Sequence, residues 1–353
     1  MPVRADFPRV YPKLQPRRNV SAGDNSTFGT RTGLRQREIR SRLEEKLSPK
    51  DQVAIRMRSD LNQAIALLQK ADPASVQAAL KLLQGTVFSF SMKVCGHRED
   101  AEDTMQEVLV SSLPHLAKLE DSRALSVWLY TAARNRCWRS RKRHSYSRSV
   151  ALEDLMPNDA ELADLLASAT ASPEEQTLHA EDHQMVHAAV LELPPQYRIV
   201  LVLHDMEELE TDEVAQVLGL KPGTVRVRLH RARLLLRQEM DKKLRGLHRQ
   251  AHSEKAKARE SARARRTPTC TEIFANLSEY MDGRLEAKTC DQMKTHIEAC
   301  PACLAFIRDL KAAIDRSRSL RIPMDSEVGQ SLRRMLAEEY LRLLKNGETL
   351  AHR

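Results

Sequence analysis

The sequence predicts an all-α protein assembled from several helical modules, and three observations carry that reading. Aromatic residues make up 4% of the chain and glycine supplies only 11 of 353 residues, both unfavourable to a β-rich fold. Leu, Ala, Arg and Glu are abundant, and these residues favour helices. Apolar residues recur at helical spacing in separate stretches, and the length suits two or three domains.

Residues 1–47 carry Pro and Arg without sustained periodicity until about Leu34, the pattern of a flexible basic extension. Ser48-Pro49 suits a helix start, and Ala64, Leu67 and Leu68 mark one face of the helix that follows. Asp72-Pro73 breaks it. Val76, Leu80 and Leu83 open a second helix running through Val87, Phe88 and Met92 to Cys95, with Gly96 at its C′ position. A third helix begins at about Asp100. A fourth runs from Ser122 to about Ser147 and holds both tryptophans, Trp128 and Trp138.

Charge then divides the chain. Arg134 to Arg148 contains seven basic residues and no acidic one, whereas Ser149 to Asp182 contains nine acidic residues and no Lys or Arg. With Pro157, Ser168, Ser172 and Pro173, the second stretch reads as an acidic linker. The organisation expected is a helical domain over 48–148, a linker over 149–182 and a second helical domain over 183–247. A basic linker over 248–269, a compact Cys/His domain over 270–320 and a helical tail over 321–353 follow. In the tail, Val328, Leu332, Met335, Leu336 and Leu343 form a stripe on a helix from Asp325 to Lys345, which Asn346-Gly347 should stop.

Thr211–Arg233, TDEVAQVLGLKPGTVRVRLHRAR, has the pattern of a helix-turn-helix. Thr211 or Asp212 caps a helix carrying Val214, Ala215, Val217 and Leu218, Gly219 makes the turn, and Pro222-Gly223 opens a second helix. Val225 and Leu229 face inward, leaving Thr224, Arg226, Arg228 and Arg231 to reach base edges and phosphates of a major groove. Periodicity alone fits any helix-turn-helix DNA binder, including an operator-binding regulator that works without polymerase.

A resemblance narrows the choice. The run from Leu193 to Arg237 is similar to the second conserved region of bacterial RNA polymerase sigma factors of the extracytoplasmic-function (ECF) class. The first conserved region is resembled by HREDAEDTMQEVLVSSL, through Asp100, Glu102, Asp103, Gln106 and Glu107, and by ALSVWLYTAARNRCWRSRKR, through Trp128, Leu129, Ala133, Asn135 and Arg141. The resemblance covers residues 75–245. It implies a protein that binds core RNA polymerase through Asp103, Gln106 and Glu107 and contacts promoter DNA at two elements. Asn135, Arg136, Arg139, Arg141, Lys142 and Arg143 would act at the −10 element, where Trp138 and Tyr146 are candidates to stack on an extruded base. Thr224, Arg226, Arg228 and Arg231 would read the −35 element. The family often has Ser where this chain has Val227, and a small polar cap where it has Lys221, departures that leave the fold intact but mean that the resemblance does not fix promoter preference.

Cys270, His296, Cys300 and Cys303 form a second constellation. H-x3-C-x2-C places three ligands within eight residues, and Cys270 supplies a fourth, giving a closed structural zinc site; Cys290 is the alternative fourth ligand. Cys95 and Cys137 read as core residues. The segment from Cys270 to Leu310, with Tyr280, Asp282, Gly283 and Leu285, resembles the zinc-binding domain of many anti-sigma factors, which sequester sigma factors. Its fusion here implies a regulator acting in cis, with the zinc thiolates as a redox or metal sensor; the alternative is an accessory domain that only stabilises the chain or aids DNA binding.

Several classes are excluded. No apolar run approaches the ~20 residues of a membrane span, and the N-terminus has no apolar core of a secretory signal, so the expectation is a cytoplasmic protein without a membrane partner. No phosphate-binding glycine loop and no paired nucleophile and base is present, and a zinc enzyme would need an open coordination position. The expectation is a non-enzymatic transcription factor.

Overall fold

Asp72-Pro73 is a helix stop and a helix start at once. The proline ring cannot extend the preceding helix, and the Asp72 carboxylate accepts the Ser75 amide at 2.9 Å, capping the next one. In the computed structural model this break separates α1 (60–69) from α2 (Pro73–Cys95). The structure describes residues 60–116, 122–140, 151–152, 155–157, 161, 180–248, 268–324 and 329–351. Outside them lie the expected basic extension 1–47, the helix start at Ser48-Pro49, most of both linkers, and Arg141, Lys142, Arg143, Tyr146 and Val328; of Arg139 only the backbone is described.

Helices α3 (Arg98–Leu116) and α4 (Ser122–Ser140) complete the first group. The second contains α5 (Ala180–Glu192), α6 (Pro195–Leu201), α7 (Thr211–Leu218) and α8 (Pro222–His248), with a single π turn at Val202–Met206 continuing α6. The third contains α9 (Pro268–Met281), α10 (Ala287–Ala299), α11 (Pro301–Ser319) and α12 (Gln330–Ala351). Among the described residues there is no strand, and no helix is long and apolar enough to cross a membrane.

Packing follows the apolar periods. Helix α2 lies against α3 and α4, burying Leu80, Leu83, Phe90, Met105, Leu109, Leu125 and Leu129. Helix α8 is the spine of the second group, packed on α5, α6 and α7 through Val225, Leu229, Ala232 and Leu236. Helices α9 and α11 pack on another side of α8, and α12 returns to lie on α2 and α3.

The first two groups meet along a polar seam. Lys93 Nζ lies 2.8 Å from Glu207 Oε1, both side chains 1% exposed, and the Tyr130 hydroxyl donates to Glu207 Oε2 at 2.7 Å. Burial, then the charge of Glu207, pushes the Tyr130 hydroxyl well above its ordinary value, so it remains a donor. Arg198 donates to Val94 O at 2.9 Å across the same seam and to Leu191 O and Leu193 O within its own group. Gly96 ends α2 at φ 77°, and a Cβ there would meet Leu191 Cδ1 at 2.8 Å. Here glycine is needed both for its backbone conformation and for close approach.

Three local expectations change. The cap of α7 is Glu210 rather than Thr211 or Asp212: Glu210 and Glu213 form a reciprocal capping box, which starts the helix at Thr211. Helix α12 continues past Asn346-Gly347 to Ala351. Its buried stripe runs through Leu336, Ala337 and Tyr340, while Met335 points outward and Leu332 and Leu343 are half-buried. Gln84 sets this register. It is fully buried, donates to Gly329 O at 3.2 Å, and accepts from Arg333 Nη1 at 2.6 Å.

Removing one partner of a buried ion pair leaves an uncompensated charge. Glu207→Leu is therefore expected to destabilise the full chain by about 3–5 kcal/mol, and Lys93→Met together with Glu207→Leu to recover most of that loss. Denaturant unfolding of the two single variants and the double variant measures this; a double-variant loss equal to the sum of the two single losses would show that the pair carries no coupling.

Candidate zinc centre and nucleic-acid interface

Cys300 is the pivot of the Cys/His cluster. Its extended backbone ends α10 and caps α11, and Pro301 starts the new helix in the next position. The bend brings His296, near the end of α10, beside Cys303, in the first turn of α11. Cys270 arrives from the first turn of α9. His296 Nε2 lies 3.5 Å from Cys270 Sγ and 3.4 Å from Cys303 Sγ, and the four ligand atoms lie within 4.8 Å of one another. Zn–S bonds of about 2.3 Å give a tetrahedral edge of roughly 3.8 Å, so three thiols and one imidazole at this spacing fit a closed zinc site. Burial, then the neighbouring Cys300 and Cys270, pushes the Cys303 thiol up; a cation at the centre reverses that balance and favours thiolates. Cys290 is not in the cluster. It sits six residues before His296 on α10, about 9 Å along the helix axis.

The cluster ties the start of α9 to the α10–α11 corner, and both α9 and α11 grip α8. Four residues of α8 at helical spacing face them. Arg226 lies 3.9 Å from Glu279, His230 Nδ1 lies 3.0 Å from Ser278 Oγ, and Arg237 Nε lies 2.7 Å from Asp309, with its guanidinium 4.5 Å from the Phe306 ring. The fourth, Arg233, has a side chain only 1% exposed. It donates to both Asp205 oxygens, at 2.8 and 2.7 Å, and to both Asp282 oxygens, at 3.1 and 2.7 Å. Burial opposes ionisation of Asp205, but Arg233 outweighs it and holds the carboxyl well below the usual range. Gly283, at φ 67°, turns the chain after Asp282 so that Arg284 reaches Thr211 Oγ1 and Glu210, the N-terminus of α7.

The predicted DNA-reading residues divide. Arg226 turns toward Glu279, whereas Thr224, Arg228 and Arg231 stand on a different side of α8 from the docked helices. In the first group, Asp103, Gln106 and Glu107 lie exposed on one face of α3, opposite buried Met105 and Leu109. Glu107 pairs with Arg136 at 2.8 Å, so the predicted polymerase and −10 faces share a border. Asn135 accepts from Arg134 at 2.6 and 3.1 Å, and Trp138 is an exposed aromatic one turn further along. Trp128 packs partly buried, its ring 5.1 Å from His115.

Sequence reasoning did not find Arg233, Asp205 and Asp282 as partners. The available signal was a basic stripe at 226, 230, 233 and 237, whose spacing places those residues on one helix face.

Burial, then the charges of Arg233 and Arg231, lowers the His230 pKa to about 4 from an ordinary 6.5. The folded state therefore prefers neutral His230, and the unfolded chain binds the extra proton between those values. Its stabilisation is complete above pH 6.5 and is lost as the pH falls toward 4. The expected loss from pH 7.5 to 5.5 is about 1–1.5 kcal/mol. His230→Gln should remove that component of the acid sensitivity while leaving any metal-linked part. Denaturant midpoints of both proteins at the two pH values test this, and identical pH slopes would refute it.

Comparison with known proteins agrees with this geometry. Residues 80–146 match the family described as "Sigma-70 region 2", residues 183–236 match "Sigma-70, region 4", and residues 270–304 match "Putative zinc-finger". The chain is 25% identical over 185 residues to the ECF RNA polymerase sigma factor SigW of Bacillus subtilis, spanning 51% of this chain and 96% of that protein. It is 28% identical over 193 residues to the RNA polymerase sigma-H factor of Pseudomonas aeruginosa, spanning 54% of this chain and 96% of that protein. It is 31% identical over 145 residues to the RNA polymerase sigma-E factor of Streptomyces avermitilis, spanning 40% of this chain and 72% of that protein. With regions 2 and 4 matched in order and a zinc-finger segment following them, the chain belongs to the ECF class of RNA polymerase sigma factors and carries a fused anti-sigma-like domain.

Proposed function

We propose that this sigma factor directs core RNA polymerase to promoters in the cytoplasm and is restrained in cis by its own zinc domain. Asp103, Gln106 and Glu107 would meet the polymerase. Asn135, Arg136, Arg139, Arg141, Lys142 and Arg143 would act at the −10 element, and Thr224, Arg226, Arg228 and Arg231 at the −35 element. Polymerase does the chemistry. Cys270, His296, Cys300 and Cys303 would hold one zinc ion that keeps α9 and α11 in their docked positions.

The observation that carries the restraint is Arg233, which shares its buried guanidinium between Asp205 of region 4 and Asp282 of the zinc domain. The restraint acts on relative position. Helices α9 and α11 hold region 4, α12 holds region 2 at Gln84, and the Lys93–Glu207 pair seals the regions together. Initiation requires the two regions to engage separate promoter elements at once, so the seam must open. Loss of zinc would free the start of α9 from the α10–α11 corner, and Asp282 with it. Apart from the cluster, α10 is tied in by a small satellite core, Ile273, Met293 and Ile297, so metal loss would loosen that corner first, whereas Phe274, Leu277, Phe306 and Leu310 belong to the main core.

Core-polymerase binding and run-off transcription test this reading with the full chain, the Asp282→Ala variant and the Cys300→Ser/Cys303→Ser variant. We expect a zinc-loaded wild type that transcribes at least about tenfold less than either variant, which corresponds to a coupling of roughly 1.4 kcal/mol. Equal transcription by all three would remove the restraint and leave the sigma function. Failure of every form to bind core enzyme would remove both.

A further inference from the structure

Helix α8 presents three distinct sides, and among the described residues only two of them are packed against other helices. At about 100° per residue, Val225, Leu229, Ala232 and Leu236 form the inward side. Arg226, His230, Arg233 and Arg237 form the side gripped by α9 and α11. Thr224, Val227, Arg228 and Arg231 form the third. Thr224 is exposed, Arg228 and Arg231 are half-buried, and among the described residues no acidic side chain pairs with either arginine. The principal neighbours of α8 are α5, α6, α7, α9 and α11, and region 2 reaches this unit mainly through α5, α6, the π turn and α7.

Val227 stands out on that third side. It is 54% exposed, one of four large apolar side chains left exposed among the described residues. A β-branched residue gains nothing from an exposed helical position, where its χ1 freedom is restricted. It stands one turn from Thr224 and from Arg231, with Arg228 beside it. Gly223 precedes it at the entry to the helix, and a Cβ there would meet nothing within 4 Å. A cationic helix start with an open approach and one apolar contact point fits a major groove: the arginines pair with phosphates or guanine edges, and the valine meets a thymine C5-methyl.

We propose that the zinc-docked, closed chain binds duplex DNA through this third side of α8 without polymerase, and that Val227 selects thymine there. The inference rests on the assignment of Thr224, Arg228 and Arg231 as DNA-facing residues, and it changes what restraint means for this protein. The docked zinc domain would block initiation while leaving promoter search open.

The test uses the full zinc-loaded chain and a random duplex pool at low salt, with zinc content measured on the recovered complex. The expected result is enrichment of a motif containing a thymine, with zinc retained. Replacing that thymine by uracil should weaken wild-type binding about fourfold, the value of one buried methyl group. The replacement should leave the Val227→Ala variant unchanged. Arg228→Ala and Arg231→Ala should each lower the salt slope by about 0.9 if each neutralises one phosphate. No enrichment by wild type, with enrichment by Asp282→Ala or by the wild type with core polymerase, would overturn the proposal and leave the DNA-facing assignment standing. No enrichment by any form would overturn both. Enrichment with every thymine replaceable by uracil would overturn the role of Val227.

Discussion

A guanidinium cannot be taken out of water without opposing charge, and Arg233 meets that requirement from two directions. Asp205 approaches from the π turn after α6 and Asp282 from the end of α9, each offering both carboxylate oxygens. Arg318 adds a second cation, 3.4 Å from Asp205, and His204 lies 3.0 Å from the same oxygen. A buried network of this kind contributes little through its net energy, because desolvation offsets attraction. Its consequence is geometric. Removing Asp282 from its site leaves half of the guanidinium without partners, so docking of the zinc domain is bound to one position on α8.

The same arrangement gives a single helix three separate faces, one turned to the core, one to the docked α9 and α11, and one outward. A 27-residue helix has room for three separate stripes. The inward stripe is aliphatic and the regulatory stripe combines Arg and His. The third alternates arginines with one exposed valine. A regulator that occupied the third stripe would compete directly with DNA. Helices α9 and α11 occupy the neighbouring stripe instead and leave the third exposed or half-buried. The seam between regions 2 and 4 complements this, since Lys93, Tyr130 and Glu207 are satisfied only when the two regions are together.

The Cys/His cluster stands at one end of that arrangement. Cys270 lies at one end of α9 and Asp282 just beyond the other, so the helix is fixed by the metal site at its start and by an ion pair beyond its end. Helix α11 repeats the scheme, with Cys303 in its first turn and Asp309 farther along. On the proposed reading, zinc loss would act on both contacts with α8 through these helices, without any direct contact between the cluster and the third side of α8.

The helical class, the break at Asp72-Pro73, the glycine turn at Gly219 and the close spacing of His296, Cys300 and Cys303 are all legible in the chain. Each is a local property, set by backbone preference or by a few residues' spacing. Cys270 and Cys290 were both open as fourth ligand, and only the fold separated them: the helical rise carries Cys290 away from His296, while α9 brings Cys270 to it. The cap of α7 was misplaced by one residue, because Glu210 is an unusual cap whose partner Glu213 also pairs with Arg123 of α4. The outward turn of Met335 followed from where Gln84 grips the start of α12. The Arg233 network joins residues 28 and 49 positions apart, and no periodic pattern encodes such a pairing. Local sequence determined which helices form and which of their faces are apolar. Tertiary structure decided which charged side chains lose water together, because the desolvation that makes those pairs obligatory exists only once the helices have packed.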